Sequence, residues 1–305
     1  MKKNHLWKYV ITIFTVSALT LKICAQGIKV SVQVTDQDGL PVADAQLESD
    51  AKKIVNTDKE GKALAEINKY SSGCRFAVKK EGYYGSETQE YFPLSEEIKQ
   101  SKLIKIKLNK IKNPIPMFVK DLVVTHFKLP KYNGEKFGYD LLIGDWLAPH
   151  GKGKIADFIF QYNGVFIDRP YGSLEKYDNT ITIIFSNERD GIIEWKGLSE
   201  EGRKYGSDLS SNYQAPAKGY QSIWQQRTWK NKGGSHKTTK DIDRNFYFRV
   251  RTKLDDDGNI ISAHYGKIYG DFMSFIYYLN PTPNDRNVEF DISKNLFIDE
   301  RVDRP

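Results

Sequence analysis

Apolar and polar residues alternate with a period of two over residues 28–108. The stretch IKVSVQV places Ile28, Val30, Val32 and Val34 on one face of a strand. The turn-rich stretches TDQDGLPV and TDKEGKA are followed by further alternating runs, of which ALAEIN, RFAVKK and LIKIKL are the clearest. Several short strands at regular spacing, with no helical period, predict a small β-sandwich of transthyretin-like or Ig-like type.

The same period continues through residues 118–305, which are richer in aromatic residues. The stretches IADFIFQYNG and NTITIIFSN each read as a strand. In RNFYFRVR, one face carries Phe246, Phe248 and Val250, and the opposite face carries Tyr247, Arg249 and Arg251. The residues DDDGN then turn the chain back into IISAHYGKI, which predicts a β-hairpin. We therefore expect an all-β protein in which a larger antiparallel β-sandwich-like domain follows the small one.

Two segments interrupt this pattern. Pro114 and Pro116 cannot extend a hydrogen-bonded ladder, so residues 109–117 are predicted to connect the two domains, 26–108 and 118–305. The region 197–245 is rich in Gly, Ser, Lys and Asn and holds one strand-like island, YQSIWQQRTW. Such an excursion is either a functional loop or a disordered one, and the sequence favours neither.

Three ordered motifs in the first domain resemble the carboxypeptidase regulatory-like domain. The matching segments are VQVTDQDGLPVADAQL, then TDKEGKA, then VKKEGYY. The residues that carry the likeness are Asp36, Gly39, Pro41, Val42 and Ala45, then Thr57, Asp58 and Gly61, then Lys80, Gly82 and Tyr83. The resemblance implies a transthyretin-like, or prealbumin-like, sandwich that serves as an accessory module of secreted and envelope proteins. The resemblance implies no catalytic residues in this domain. The second domain resembles only uncharacterised envelope proteins.

The first 25 residues have the layout of a secretory signal peptide. Lys2, Lys3 and Lys8 form a basic start, the apolar run Tyr9–Leu21 follows, and Ala25 offers a small residue for cleavage. A membrane span needs about 20 apolar residues, so an uncleaved anchor is the less favoured alternative. A lipoprotein signal through Cys24 is weaker still. The sequence predicts an exported protein, which is periplasmic, on the cell surface or secreted, with no stable membrane span after cleavage.

Removal of this segment changes the charge balance. The whole chain has 46 basic and 39 acidic side chains, a net charge of +7. Four of the lysines lie in residues 1–25, so the mature chain has 42 basic and 39 acidic side chains, a net charge of +3. Such a balance gives no case for nucleic-acid binding, which needs clustered cations. Cys74 alone remains after cleavage, so no internal disulfide is expected, and we predict that its thiol is buried.

Motifs for bound cofactors and metal ions are missing. A phosphate-binding loop fails because Trp146 and Ala148 stand where its first glycine would have to be. No pair of the mature histidines has the spacing of a zinc site, and neither Asp-rich turn matches an EF-hand loop. We predict no cofactor and no metal, while calcium binding of another type at those turns stays an open alternative. No nucleophile signature is present either.

Aromatic residues beside amides and a guanidinium supply the remaining candidate site. Trp224 and Trp229 flank Gln226 and Arg227 in the polar region, and planar rings with hydrogen-bond donors suit a sugar face. We predict a non-enzymatic binding or accessory protein, whose partner is a glycan or another envelope protein. The alternative is a polysaccharide hydrolase that uses a carboxylate pair drawn from acids such as Asp145, Asp157 and Glu194.

The stretch GDWLAPHGKGKIADF, residues 144–158, is predicted to be a structural corner. Pro149 and the two glycines that follow break the chain before a strand that is expected from Ile155 onward. Trp146 is expected to anchor this corner in the core, with Lys152 in solvent. Trp146 and His150 are its candidates for ligand binding.

Overall fold

The computed structural model describes residues 27–68, 70–93, 95–123, 133–168, 174–197 and 206–305. These residues form two compact units. The first contains the described residues up to Ile111 together with Gly206–Ser207, and the second begins at Lys112 and contains the rest. The predicted signal peptide, residues 1–25, lies outside the described residues. Among the described residues, no helix is long and apolar enough to span a membrane.

The first unit is built from two β-sheets and one short helix. Its elements are β1 (Gly27–Asp36), β2 (Gln46–Ser49), β3 (Ile54–Asn56), β4 (Lys62–Asn68), β5 (Gly73–Lys79), β6 (Ser86–Tyr91), α1 (Glu96–Ser101), β7 (Leu103–Leu108) and β14 (Gly206–Ser207). One sheet has the order β4-β1-β7, in which β1 runs antiparallel to β4 and parallel to β7. The other has the order β14-β6-β5-β2-β3.

One apolar core lies between these two sheets, and the alternation in the sequence explains it. Val30, Val32 and Val34 of β1 are fully buried, as the period of two predicts. Leu47 of the other sheet belongs to the same core. The thiol of Cys74 is buried there too, as predicted, and this burial raises its pKa to about 11.

Side chains of the three ordered sequence motifs stabilise turns of this unit. Oδ1 of Asp36 accepts hydrogen bonds from the backbone N–H groups of Asp38 and Leu40, each at 2.9 Å. Its other oxygen pairs with Nζ of Lys110 at 2.8 Å. Gly61 has a φ of +71°, and a Cβ atom there would lie 2.4 Å from the backbone oxygen of Val34. The turn at Gly61 therefore excludes larger residues.

The second unit contains two six-stranded sheets. Its remaining strands are β8 (Ile115–Val123), β9 (Asn133–Asp140), β10 (Asp145–Trp146), β11 (Phe158–Asp168), β12 (Leu174–Ile184), β13 (Gly191–Lys196), β15 (Ile223–Lys230), β16 (Lys237–Thr238), β17 (Arg244–Leu254), β18 (Ile260–Asp271), β19 (Ser274–Leu279) and β20 (Phe290–Asn295). We call β10-β9-β11-β12-β15-β16 the open sheet and β13-β17-β18-β19-β8-β20 the covered sheet. With these sheets, the prediction of an all-β fold of the β-sandwich class is confirmed.

Aromatic side chains fill the space between the open and covered sheets. Phe158 lies 5.2 Å, centroid to centroid, from Phe248 across the sandwich, and the two rings meet edge to face. The covered sheet is also buried on its other face, where Tyr247 packs with Ala215 and Val288. Both faces of RNFYFRVR are therefore buried, although its alternation alone would suggest one wet face.

The DDDGN hairpin forms as predicted, between β17 and β18. Oδ1 of Asp255 accepts hydrogen bonds from the backbone N–H groups of Asp257 (3.1 Å) and Asn259 (2.7 Å). Gly258 supplies the positive φ, +79°, that this turn needs. The short Asp-rich run is thereby explained as turn chemistry.

Two strand boundaries differ from expectation. β8 begins at Ile115, so the last three residues of the predicted connector belong to a strand. Its antiparallel ladder with β19 begins only at Phe118, which pairs with Leu279, the last residue of β19. β11 begins at Phe158 rather than Ile155, since the preceding residues are held by side-chain hydrogen bonds instead of a ladder.

Candidate functional site

The six candidate ligand-binding residues lie in three different places. Four of them belong to β15, where successive side chains point to opposite faces. Trp224 and Gln226 point inward, toward the core of the second unit, and Arg227 and Trp229 point outward. The sequence pattern groups these four residues in one candidate site. In the structure they are divided between the two faces of the open sheet.

On the outward face, three strands align their side chains in rows. The register of β11, β12 and β15 places Gln161, Thr182 and Gln225 in one row. The next row contains Asn163, Thr180 and Arg227, and the third contains Val165, Asp178 and Trp229. Every position in the first two rows therefore carries an amide, a hydroxyl or a guanidinium group.

Arg227, in the second row, contacts Asp178 and Trp229 of the third row. Its Nε and Nη2 atoms donate to the two carboxylate oxygens of Asp178 at 2.8 and 2.6 Å. These hydrogen bonds hold the pKa of Asp178 below its ordinary value. The same guanidinium lies 4.9 Å from the ring centroid of Trp229, a cation–π distance. The arrangement fixes the position of a half-buried indole on an exposed sheet face.

The inward-pointing Trp224 is a core residue. Its ring is 6% exposed and packs edge to face on Phe246 at 5.1 Å. Its Nε1 donates a hydrogen bond to Oε1 of Glu194. The indole has no exposed face on which a sugar could stack, so the sequence hypothesis of an exposed Trp224 does not fit its position.

Gln226 lines a small cavity instead of the outward face. This cavity, of about 220 Å³, lies on the inward side of the open sheet. Asn179 and Ile181 of β12 line it together with Thr228 of β15. Met273, from the turn between β18 and β19, also lines it. The cavity is a second candidate site, separated from the outward face by the thickness of the sheet.

The corner at residues 144–158 is held by an internal ion-pair network. Asp140 and Asp157, both almost fully buried, share the guanidinium of Arg251 from β17. Oδ2 of Asp140 also accepts the backbone N–H groups of Lys154 and Ile155, each at 3.0 Å. Burial raises the pKa of Asp157, whereas for Asp140 the backbone donors outweigh burial and lower the pKa. These contacts give the corner a structural role.

Trp146 and His150 lie at this corner but face different surroundings. Trp146 is 2% exposed and packs on Tyr139 and Phe160 in the core. It also lines a cavity of about 360 Å³ whose other walls include Lys120 and Glu300. His150 is exposed, and its ring lies 5.1 Å from that of Phe137. The two candidates therefore do not present a common ligand-binding surface.

The carboxylates considered for hydrolysis are all engaged in structural contacts. Asp157 is bound by Arg251, and Glu194 pairs with Arg244 at 3.3 Å. Asp145 accepts the backbone N–H groups of Trp146 and Lys152 at 2.9 and 3.0 Å. Within the described ranges, no group of three or more His, Cys, Asp and Glu side chains is placed to hold a metal ion.

Several residues of the outward face were missed in the sequence. Asp178, Thr180 and Thr182 lie on β12, more than 40 positions from their partners on β15. Only the strand pairing brings them together, and no local pattern signals it. The period of two in YQSIWQQRTW, in contrast, already predicts that Trp224 and Gln226 lie on the opposite face of the strand from Arg227 and Trp229.

No protein-family model matches the chain, and no curated protein matches it in sequence. A DUF3823 family protein from Parabacteroides merdae ATCC 43184 is similar over 88% of this chain and 100% of its own, at 8% identity and a TM-score of 0.20. A protein of unknown function from Bacteroides fragilis NCTC 9343, described as membrane-associated, is similar over 86% of this chain and 97% of its own, at 8% identity and a TM-score of 0.21.

A shorter similarity involves the 3-chlorocatechol 1,2-dioxygenase of Rhodococcus opacus 1CP, at 19% identity and a TM-score of 0.20. It covers 28% of this chain, and the chain spans 60% of the dioxygenase's length. These similarities assign neither a family nor an activity to the chain.

Proposed function

We propose that the protein is exported and binds a glycan through the outward face of the open sheet, without catalysing a reaction. The observation that carries this proposal is the position of Arg227, between Asp178 and the ring of Trp229. The ion pair fixes the guanidinium, and the guanidinium in turn restrains the indole. Restraint before binding lowers the entropy lost when a ligand docks.

The chemistry of the surrounding rows suits a polysaccharide. An indole offers an apolar plate for the C–H face of a sugar ring, while amides and hydroxyls exchange hydrogen bonds with its hydroxyl groups. Gln225 and Thr182 are joined at 3.3 Å, so the neighbouring row is partly ordered as well. The rows cross several strands, and such a surface matches an extended chain better than a compact molecule.

The same rows favour a glycan over a second envelope protein. The buried centre of a protein–protein interface is typically apolar and built around several large anchors. Here Trp229 is the aromatic residue of the three rows, and its neighbours Thr180, Gln225 and Arg227 are polar. A wet, hydrogen-bonding surface of this kind is better matched by a hydroxylated ligand.

The hydrolase alternative receives less support. Glycoside hydrolysis needs two carboxyl groups about 5–10 Å apart in a cleft. Asp157 is committed to Arg251 in the interior, and Asp178 is committed to Arg227 on the sheet face. Both carboxylates are neutralised by guanidinium groups, which suits a structural role better than acid–base catalysis.

The first unit fits this proposal as an accessory module. The resemblance of its turn motifs to the carboxypeptidase regulatory-like domain, together with the signal-like start of the chain, supports export and a place in or outside the cell envelope. Asp36 and Gly61 of those motifs serve turns of a sandwich, and this is a structural use. We therefore assign ligand binding to the second unit alone.

Affinity electrophoresis of the full chain against a panel of soluble polysaccharides would test the proposal. We expect retardation by at least one neutral polysaccharide, and about a fivefold loss of affinity on Trp229→Ala, since aromatic stacking contributes about 1 kcal/mol. Arg227→Leu should weaken binding as well, because it frees the indole and leaves Asp178 without its partner.

Tyr91→Ala is the matched control, because Tyr91 is an exposed aromatic residue of the first unit. It should leave the affinity unchanged. Absence of binding to every polysaccharide, or equal binding by wild type and Trp229→Ala, would exclude the outward face as a glycan site.

A further inference from the structure

The cavity beside Gln226 has polar and apolar walls that meet in a small space. Gln226 and Thr228 enter it from β15, and Asn179 enters it from β12. Ile181 and Met273 supply the apolar part of its lining. With a volume of about 220 Å³, the cavity is smaller than the roughly 300–1,000 Å³ of sites for drug-sized ligands. It therefore has room for a small molecule and not for a chain.

Two amide side chains at this cavity have oxygen or nitrogen atoms without a partner among the described residues. Oδ1 of Asn179 is inaccessible to solvent, and no hydrogen bond joins it to the described part of the chain. Gln226 is 5% exposed, and its side-chain amide likewise makes no hydrogen bond to any described residue. Buried polar groups are normally paired, because an unpaired one lowers stability. Amides kept in this state are suited to hydrogen bonding with a ligand.

The charges that line the cavity cancel. Nζ of Lys240 lies 2.9 Å from Oδ2 of Asp271, and Oδ1 of Asp271 accepts the backbone N–H of Met273 at 2.8 Å. The ion pair leaves no net charge for an ionic ligand to balance. A bound molecule would instead meet amides and a hydroxyl, which both donate and accept hydrogen bonds.

We propose that this cavity binds one neutral, polyhydroxylated ring, of the size of a single sugar residue. The ring hydroxyls would satisfy the amides of Asn179 and Gln226, and its C–H face would pack on Ile181 and Met273. The site is independent of the outward face, because Gln226 and Arg227 point to opposite sides of β15. The proposal can therefore fail while polysaccharide binding at Trp229 holds, and the reverse is equally possible.

Isothermal titration of the full chain with D-glucose, D-galactose, D-mannose and D-glucuronate would test this site. We expect at least one neutral sugar to bind with a roughly millimolar dissociation constant. Glucuronate should bind more weakly, because its carboxylate has no unpaired cation to meet. Gln226→Met keeps the side-chain length and removes the amide, so we expect it to lower the affinity at least tenfold.

Thermal unfolding separates loss of the site from loss of the fold. Gln226→Met replaces the amide of a buried residue, which has no protein partner, with an apolar group, so its melting temperature without ligand should equal or exceed that of the wild type. Asn179→Leu provides a second variant of the same kind. Tyr91→Ala, at an exposed aromatic residue of the first unit, is the matched control and should leave binding of single sugars unchanged.

Three results would overturn the proposal. The first is that none of the neutral sugars binds the wild-type chain. The second is that Gln226→Met and Asn179→Leu, both folded, bind the sugars as well as the wild type does. The third is that Trp229→Ala abolishes the binding of single sugars, which would move that binding to the outward face.

Discussion

Arg251 forms a bidentate ion pair with Asp157, in which Nε lies 2.9 Å from Oδ1 and Nη2 lies 2.8 Å from Oδ2. Arg251 lies at an irregularity in the pairing of β17 with β18, with a φ of +56°. The irregular backbone directs the guanidinium toward the corner at residues 144–158. The corner that the sequence predicts is thus attached to the opposite sheet by a buried ion pair.

Removal of this arginine should be strongly destabilising. Arg251→Leu leaves Asp140 and Asp157 buried without their shared cation, and breaking a buried pair in this way costs about 3–5 kcal/mol. Urea unfolding followed by tryptophan fluorescence would measure the change in the free energy of unfolding. Arg227→Leu, at an exposed ion pair, is the control and should have little effect.

A double variant tests whether the uncompensated charge is the cause. Asp157→Asn in the Arg251→Leu background removes one buried carboxylate and should restore part of the lost stability. If Arg251→Leu were as stable as the wild type, the ion-pair network would not be what holds the corner.

Replacement of the two β15 tryptophans should have unequal effects on stability. Trp224→Ala empties a packed position beside Phe246 and should lower the free energy of unfolding by about 3–5 kcal/mol. Trp229→Ala removes a half-buried ring at the surface, and we expect a change below about 1 kcal/mol. Urea titration of both variants checks this. Equal losses would contradict the assignment of the two rings to opposite faces.

The strands could be predicted from the sequence better than the site could. The period of two in IKVSVQV and RNFYFRVR predicts which side chains face each core, because alternation is a local property. The rows on the outward face depend on the pairing of β12 with β15, which brings Thr180 opposite Arg227. Pairing between distant strands leaves no mark on either strand alone. The odd spacing of Trp224 and Trp229, by contrast, is a local property and predicts that the two rings lie on opposite faces of a strand.

The stability of the first unit should depend on pH through Asp36. Burial alone would raise its pKa, but hydrogen bonds from Lys110 and from the backbone at Leu40 and Asp38 outweigh burial and lower it. A carboxyl with a lowered folded-state pKa adds stability above its ordinary pKa of about 3.9, and this is lost as the pH falls through the folded-state value.

Asp36→Asn removes that contribution. We expect the variant to be about 1–3 kcal/mol less stable than the wild type at neutral pH, with a difference that narrows as the pH falls below the ordinary aspartate pKa of about 3.9. Modification of the buried Cys74 thiol by a reagent added during urea unfolding reports on this unit, in a Cys24→Ala background. A difference that stayed constant over this pH range would show that the charge of Asp36 is not involved.

A buried cluster in the covered sheet links a lysine to a tyrosine. Nζ of Lys267 lies 3.1 Å from Oγ of Ser211 and 3.3 Å from the hydroxyl of Tyr269. The guanidinium of Arg304 lies 3.8 Å from the centroid of the same tyrosine ring. Burial lowers the pKa of Lys267 and raises that of Tyr269. The positive charges of Lys267 and Arg304 outweigh the burial of Tyr269 and lower its pKa to about 8.

Tyr269 should therefore ionise below the ordinary tyrosine range, which lies near pH 10. Near-ultraviolet absorbance of the folded protein should show one phenolate forming near pH 8, and Tyr269→Phe should abolish that step. Lys267→Met removes the nearest positive charge, so the step should move to higher pH. Tyr91→Phe, at an exposed tyrosine of the first unit, should leave the step in place. If the wild type shows no ionisation below the ordinary tyrosine range, the cluster does not favour the phenolate.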